Sequence, residues 1–313
     1  MTRHSVILDC DPGVDDAVSL LAALASPDEI NVLGVSTVAG NIPVDVCTRN
    51  ALRICAMAGR EDVTVYQGRE RPLVEEAMTA HHVHGDDGLG GALFPEPGRE
   101  ASRLDAVDFI IDTVRNKTAG EVTLVPTGPL TNIAAALEAA PDIAGRLRQI
   151  VLMGGAYHAG GNVTPSAEFN IYADPHAARI VFASGAPIAA FGLDVTLQFR
   201  CTPMRMGLLR AIETAAGRAS VAMIEHVNAV YGELYGAEGA ALHDPCTILY
   251  VLRPELFEMR EVFIDVETEG RITRGHTAVD LHGATGAAPN AHWAVSVKSD
   301  AAFELLIDRL RRL

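Results

Sequence analysis

The sequence predicts an α/β fold: a single domain over 1–313, with a mostly parallel central sheet flanked by helices on both faces. A C-terminal helical and small-strand region is expected to lie over the site. Three observations carry that expectation. Short apolar runs of strand length alternate with longer segments of helical period as far as about residue 200. Polar residues recur just after the strand-like runs, where open α/β sheets place their ligands. No internal repeat or Pro/Ser-rich linker divides the 313 residues, and 49% hydrophobic content suffices for a large core.

Val6-Ile7-Leu8 reads as a buried strand and Val18 to Leu24 as a helix, with Pro12-Gly13 forcing the turn between them. Asn31 to Val38 reads as a second strand, which puts Asn41 at a strand end. Pro43 to Met57 follows as a helix with proline in its first turn, then Val63 to Tyr66 as a short strand. An irregular stretch from Gln67 to about Arg103 carries His81, His82 and His84; loops of this length in a compact domain are usually functional or disordered. The His-His-x-His spacing, with no cysteine near, does not match a closed zinc site. The alternation resumes with Leu104 to Lys117, Glu121 to Pro126, Ile133 to Ala140 and Arg148 to Met153. After a glycine-rich loop, Asp174-Pro175 opens a helix through Ala183, and Pro187 to Phe191 reads as a strand. Helices are expected over Pro203 to Ala215, Arg218 to Tyr235 and Cys246 to Leu252. Peripheral or antiparallel strands follow at Arg260 to Glu267, His276 to Val279 and Ala294 to Lys298, and a helix from Asp300 to Arg312 closes the chain. The region 200–290 is expected to pack on the sheet as an insertion.

The formal charge is −15, from 40 acidic and 25 basic residues, which argues against binding to nucleic acid or to an anionic membrane. Met1-Thr2-Arg3-His4 leads straight into a strand without a signal-peptide apolar region, and no apolar segment reaches membrane-spanning length. Five cysteines are scattered and form no CxxC pair, so they read as small buried hydrophobes in a reducing compartment. The expected location is the cytoplasm. Strand alternation turns Cys10 away from Asp9 and Asp11.

The chemistry concentrates in Asp9-Cys10-Asp11-Pro12-Gly13-Val14-Asp15-Asp16-Ala17, where four carboxylates fall within eight residues. Carboxylates this close repel one another, and desolvation makes it worse. A hard multivalent cation relieves the conflict, and carboxylate oxygen is the ligand such cations prefer. The plainer reading, that Asp15 or Asp16 favours a helix N-terminus, leaves Asp9 and Asp11 unexplained. Asn41, Thr127, Asn162, Glu168, Asn170 and His243-Asp244 also fall just after inferred strands or at a helix start. Carboxylates and carboxamides can bridge vicinal hydroxyls, which suggests a sugar. The phosphate signatures GxxxxGK[ST] and GxGxxG are missing.

The acidic stretch resembles the N-terminal signature of the inosine-uridine-preferring nucleoside hydrolases. Val38-Ala39-Gly40-Asn41, His84-Gly85-Asp86-Asp87-Gly88-Leu89-Gly90, Pro126-Thr127-Gly128-Pro129-Leu130-Thr131-Asn132, Met153-Gly154-Gly155, Ala167-Glu168-Phe169-Asn170 and His243-Asp244-Pro245 follow in that family's order, over nearly the whole chain. The resemblance implies calcium-dependent hydrolysis of the N-glycosidic bond of ribonucleosides, purine or pyrimidine, to free base and ribose. It implies Ca²⁺ held by Asp11, Asp16, Asp244 and the Thr127 carbonyl, an all-oxygen set. Asp11 is then also the base that activates the metal-bound water. Asp15, Asn162, Glu168 and Asn170 are implied on the ribose hydroxyls, with the substrate-side Asn41 close to them, and His243 as the acid for the leaving base. His243 reads equally well, on its own, as a histidine beside a helix start.

Phe169 is expected near the sugar or base, Tyr231 in the base pocket, and His82 over the base on a loop that orders on binding. Val227 departs from the aromatic of the broad-specificity pattern, and pyrimidine-preferring members carry glutamine where Tyr231 falls. The purine-specific branch stacks the base between tryptophans; here the one tryptophan, Trp293, reads as core. A pyrimidine-preferring enzyme and a non-catalytic calcium- or ribose-binding module on the same fold are the alternatives. A haloacid-dehalogenase-like phosphotransferase is disfavoured because Gly13 stands where that family needs Thr or Val, and the loop lacks EF-hand spacing. The resemblance also implies a homo-oligomer, a tetramer or a dimer, acting on a small-molecule ribonucleoside.

Overall fold

A computed structural model describes residues 3–235 and 239–313; the expected chain start, Met1-Thr2, lies outside the described residues. Nine strands form one sheet: β1 (His4–Cys10), β2 (Ile30–Thr37), β3 (Val65–Gln67), β4 (Val122–Pro126), β5 (Gln149–Met153), β6 (Ile188–Phe191), β7 (Phe257–Val266), β8 (Thr277–Asp280) and β9 (Ala291–Val297). Their order is β3-β2-β1-β4-β5-β6-β9-β7-β8. Neighbours from β3 through β9 pair parallel, and β7 pairs antiparallel with both β9 and β8.

The parallel strands are buried on both faces, as crossover helices require. Alternation divides their side chains between two cores. Val6, Leu8 and Cys10 of β1, Val151 of β5 and Phe191 of β6 join the core that includes the helices Val14–Leu24, Pro245–Leu252 and Ser299–Leu310. Ile7, Leu124, Ile150, Leu152 and Ala190 join the opposite core, with the helices Ala106–Asn116, Thr131–Ala139 and Pro175–Ala183. Cys10 thus points into the apolar core, as alternation predicts.

The strand order reverses direction between β1 and β4. At such a switch point the connections leave to opposite sides and open a crevice at the carboxyl ends of the strands. Asp11 follows β1 and Thr127 follows β4, so both stand at that crevice.

Several expectations are corrected. The first helix begins at Val14, before Val18, because the Asp16 carboxylate accepts the Gly13 N–H at 3.1 Å and closes a cap. Asp15 and Asp16 therefore occupy a helical first turn, while Asp11 stays in the preceding loop. The helix expected over Pro203 to Ala215 ends at Arg210, and the next begins at Ala215. There the Thr214 hydroxyl accepts the Gly217 N–H at 3.0 Å. The region 200–290 is not only an addition: β7 and β8 continue the central sheet through β9. Which strands neighbour each other is set by pairings between distant residues, which the local pattern does not encode. The stretch after β3 is largely irregular, as expected, apart from a single helical turn at His81–His84.

Trp293, 1% exposed on β9, lies against Gly155 and Gly192 at the ends of β5 and β6. Trp293→Ala is expected to cost about 3–5 kcal/mol through the cavity left behind. Gly192→Ala drives a methyl into the indole and is expected to cost about 1–3 kcal/mol. The midpoints of chemical unfolding measure both; unchanged midpoints would contradict this packing.

Candidate functional site

The loop after β1 buries Asp11 completely. Its Oδ2 accepts the Asn41 backbone N–H at 2.6 Å, and its Oδ1 has no hydrogen-bond partner among the described residues. Glycine is required beside it at two places. A Cβ on Gly128 would stand 2.5 Å from Oδ1, and one on Gly40 would collide with Oδ2. Asp16, also buried, accepts from the Thr127 hydroxyl at 2.7 Å, the Gly13 N–H at 3.1 Å and the Asn41 amide at 3.3 Å. Asn41 thus ties Asp11 to Asp16. Asp244 stands at the start of the helix Pro245–Leu252, where its carbonyl accepts the Ser19 hydroxyl at 3.2 Å.

Asp15, Asp16 and Asp244 each offer a carboxylate oxygen within 4.8 Å of the others, which is metal-ligand spacing. Among the described residues no other group has that spacing, and no histidine takes part. The electrostatics point the same way. Burial, then the neighbouring Asp16 charge, pushes the Asp11 carboxyl well above its ordinary range. Burial and then Asp15 push Asp16 up to about 7. Asp244 is driven well above the ordinary range by burial, then by Asp15, Asp16, Asp11 and Glu168. The cluster cannot carry its full negative charge alone. Hard oxygen donors, an unpartnered buried carboxylate oxygen and this repulsion together fit a divalent cation.

A cleft opens over the cluster. Asp15, Asn41, Thr127, Asn162, Glu168, Asn170, His243 and Asp244 supply its polar lining. Val83, Val163, Phe169, Val227 and Tyr231 contribute apolar and aromatic surface, and His82 and His84 also reach it. Asp11 and Asp16 lie beneath the lining. Glu168 caps the short helix Phe169–Ala173: Oε1 accepts Asn170 N–H at 3.0 Å, and Oε2 accepts Gly155 N–H at 3.0 Å and Ile171 N–H at 3.3 Å. Burial outweighs those hydrogen bonds and pushes its carboxyl up to about 7. Asn170 donates to the Thr127 carbonyl at 2.7 Å, and the Asn162 side-chain oxygen accepts the Phe169 N–H at 2.9 Å.

The structure therefore brings all thirteen residues singled out from the sequence into one region, counting Asp11 and Asp16 below the cleft. Within that region their contacts differ. Asp15 joins the carboxylate trio, and its Oδ2 accepts the His243 backbone N–H at 3.3 Å. Asn41 is engaged with the two buried aspartates. Of the clustered histidines, His82 is exposed in the cleft, while His84 is buried and accepts the Val14 N–H on Nδ1 at 3.1 Å. Burial, reinforced by His226, His243 and His82 and opposed by Asp15, lowers its pKa to about 4, so His84 is neutral.

Sequence reasoning missed two supports. Asp9 faces the core side opposite Cys10, accepts from Ser36 Oγ at 2.5 Å and Asn132 Nδ2 at 2.8 Å, and is pushed by burial up to about 6. The Asn132 Nδ2 also reaches the Thr37 carbonyl at 3.0 Å, so this network ties the ends of β1 and β2 to the helix after β4. Thr196, after β6, lies 2.7 Å from His243 Nδ1 through its hydroxyl. Its place after a strand was the only available signal.

The profile of the family described as inosine-uridine preferring nucleoside hydrolase matches residues 6–304. The pyrimidine-specific ribonucleoside hydrolase RihA of Shewanella baltica is 44% identical over 313 residues, covering 99% of this chain and 97% of its own. Among solved structures, a purine-preferring ribonucleoside hydrolase from Gardnerella vaginalis is 36% identical with a TM-score of 0.91, covering 98% of each chain. A plant nucleoside hydrolase, PpNRh1, is 35% identical with a TM-score of 0.92 over 99% of each chain. Sequence signature, fold and cleft agree with these matches: the chain belongs to the inosine-uridine preferring nucleoside hydrolase family and is a ribonucleoside hydrolase.

Proposed function

We propose that the chain hydrolyses the N-glycosidic bond of purine and pyrimidine ribonucleosides to free base and ribose with calcium as its metal. The observation that carries this is the composition of one cleft: a buried carboxylate cluster beneath it, hydroxyl-binding groups on its walls, and apolar and aromatic surface beside them. A ribose fits the first two and a planar base the third. Asp11, Asp16, Asp244 and the Thr127 carbonyl would hold the ion, with Asp15 within reach of the same point. When bound, calcium supplies Lewis acidity and neutralises the cluster's charge.

The remaining steps belong to the side chains. Asp11 takes the proton of the attacking water on its unpartnered Oδ1. As the glycosidic bond breaks, positive charge grows on the sugar beside Asp15, Glu168 and the metal ligands, which stabilise it electrostatically. Asp15, Asn162, Glu168 and Asn170 orient the ribose hydroxyls, and Asn41 keeps Asp11 and Asp16 in place. His243 gives a proton from Nε2, which has no partner among the described residues, to the departing base. Phe169, Tyr231 and His82 bound the space for the base. The 44% identity to a hydrolase named pyrimidine-specific favours a second reading, in which pyrimidine nucleosides turn over fastest. We place the enzyme in the cytoplasm as a homo-oligomer, a tetramer or a dimer, in keeping with the family resemblance.

Reducing-sugar release from inosine, uridine, cytidine, adenosine and 2′-deoxyinosine tests the reading. Ribosides are expected to turn over and the deoxyriboside hardly at all; the order of rates decides between the two base preferences. A strong calcium chelator is expected to abolish turnover and added Ca²⁺ to restore it, whereas chelator-resistant activity would refute the metal site. Asp11→Asn is expected to lower kcat at least about 10³-fold, since it removes a ligand and the base together. A near-normal rate would remove Asp11 from both roles. His243→Ala is expected to slow nucleosides about 10²-fold or more, and to spare p-nitrophenyl riboside, whose leaving group needs no proton. Equal losses on both substrates would take the acid role away from His243.

A further inference from the structure

An imidazole that protonates a leaving group delivers the proton from one nitrogen, and the partner of the other nitrogen decides which one it is. His243 is buried, its Nε2 has no partner among the described residues, and the residue lines the cleft. Its Nδ1 lies 2.7 Å from the Thr196 hydroxyl. Thr196 is fully buried, and its hydroxyl has no other hydrogen-bond partner among the described residues.

Both residues are fixed by backbone. Thr196 ends a short helix, Leu193–Thr196, whose first N–H donates to the Gly155 carbonyl at 2.8 Å and whose last donates to the Gly192 carbonyl at 3.1 Å. Branching at Cβ further restricts its side chain. Just beyond it, the chain pairs with the segment that carries His243. Leu242 N–H donates to Phe199 O at 2.9 Å and Cys201 N–H to Ala240 O at 2.8 Å, around the Arg200–Ala241 bridge. The His243 N–H then donates to Asp15. Thr196 and His243, far apart in sequence, are held in one register.

We propose that Thr196 is the positioning residue for His243: its hydroxyl, 2.7 Å from Nδ1, fixes the ring so that Nε2 faces the departing base and gives it the proton. The proposal rests on the acid role of His243. In the step, the Nε2–H bond breaks and its electron pair stays on Nε2. The proton bonds to the departing base as the glycosidic electron pair moves onto that base. The proton that Asp11 takes from the attacking water returns through solvent to Nε2 after the base leaves. Without the hydroxyl, the ring loses its orientation.

The test compares Thr196→Val, Thr196→Ser and His243→Ala on inosine, uridine and p-nitrophenyl riboside. Thr196→Val is expected to lower kcat on the two nucleosides about 10–100-fold, to change p-nitrophenyl riboside turnover by less than about threefold, and to be rescued by Thr196→Ser to within about threefold of the parent. Turnover of p-nitrophenyl riboside also reports that the site has folded. Parallel losses on both kinds of substrate, no loss at all, or failure of serine to rescue overturns the proposal. If His243→Ala itself is unselective, the acid role falls first and this inference with it. If His243→Ala is selective and Thr196→Val is not, only the positioning role falls.

Discussion

Everything near the crevice answers to one electrostatic constraint: several carboxylates are removed from water at the same place. Burial penalises each charge, and each charge penalises the next, so Asp11, Asp16 and Asp244 are all pushed upward. The fold partly offsets this with donors aimed inward. Asn41 serves Asp11 and Asp16, Thr127 and Gly13 serve Asp16, and glycines at 40 and 128 let the backbone come close enough to leave Asp11 no other space. Those donors do not use up the cluster's oxygens, and Asp11 Oδ1 remains without a partner among the described residues. A site built this way has the oxygen donors that a cation needs.

The sheet supplies the geometry that makes the constraint tolerable. Parallel strands buried on both faces give a stiff platform, and the reversal of order between β1 and β4 opens the crevice without any specialised loop. Below it, Asp9, Ser36 and Asn132 bind strand ends to one another. Above it, the wall is assembled from distant parts of the chain: the turn His81–His84, the loop holding Asn162 and Glu168, the long helix holding Val227 and Tyr231, and the start of the helix Pro245–Leu252.

The fold and the centre of the site were legible because their signals are local. Strand and helix periods are written in consecutive residues, and the acids from Asp9 to Asp16 sit within one turn of chain. The ordered series of motifs extended this to Thr127, Glu168, Asn170 and Asp244. Legibility failed where a residue's meaning depends on a partner through space. Asp9 looked like one more acid of the cluster, yet its carboxylate is taken up by Ser36 and Asn132. That the Asn41 amide reaches the Asp11 carbonyl and the Asp16 carboxylate could not be read from its place at a strand end. Thr196 carried no mark beyond its place after a strand.

By itself, then, the sequence determined the α/β class and the acidic loop, because apolar periodicity and clustered charge are properties of neighbours in the chain, and its ordered motifs carried the resemblance to the family. Only the tertiary structure decided that β7 and β8 extend the central sheet, that Asp15 joins Asp16 and Asp244, and that Thr196 meets His243. Each of these is a contact between segments far apart in sequence. Such contacts are selected by packing and hydrogen bonding across the whole fold, and no local pattern records which distant partner will be there.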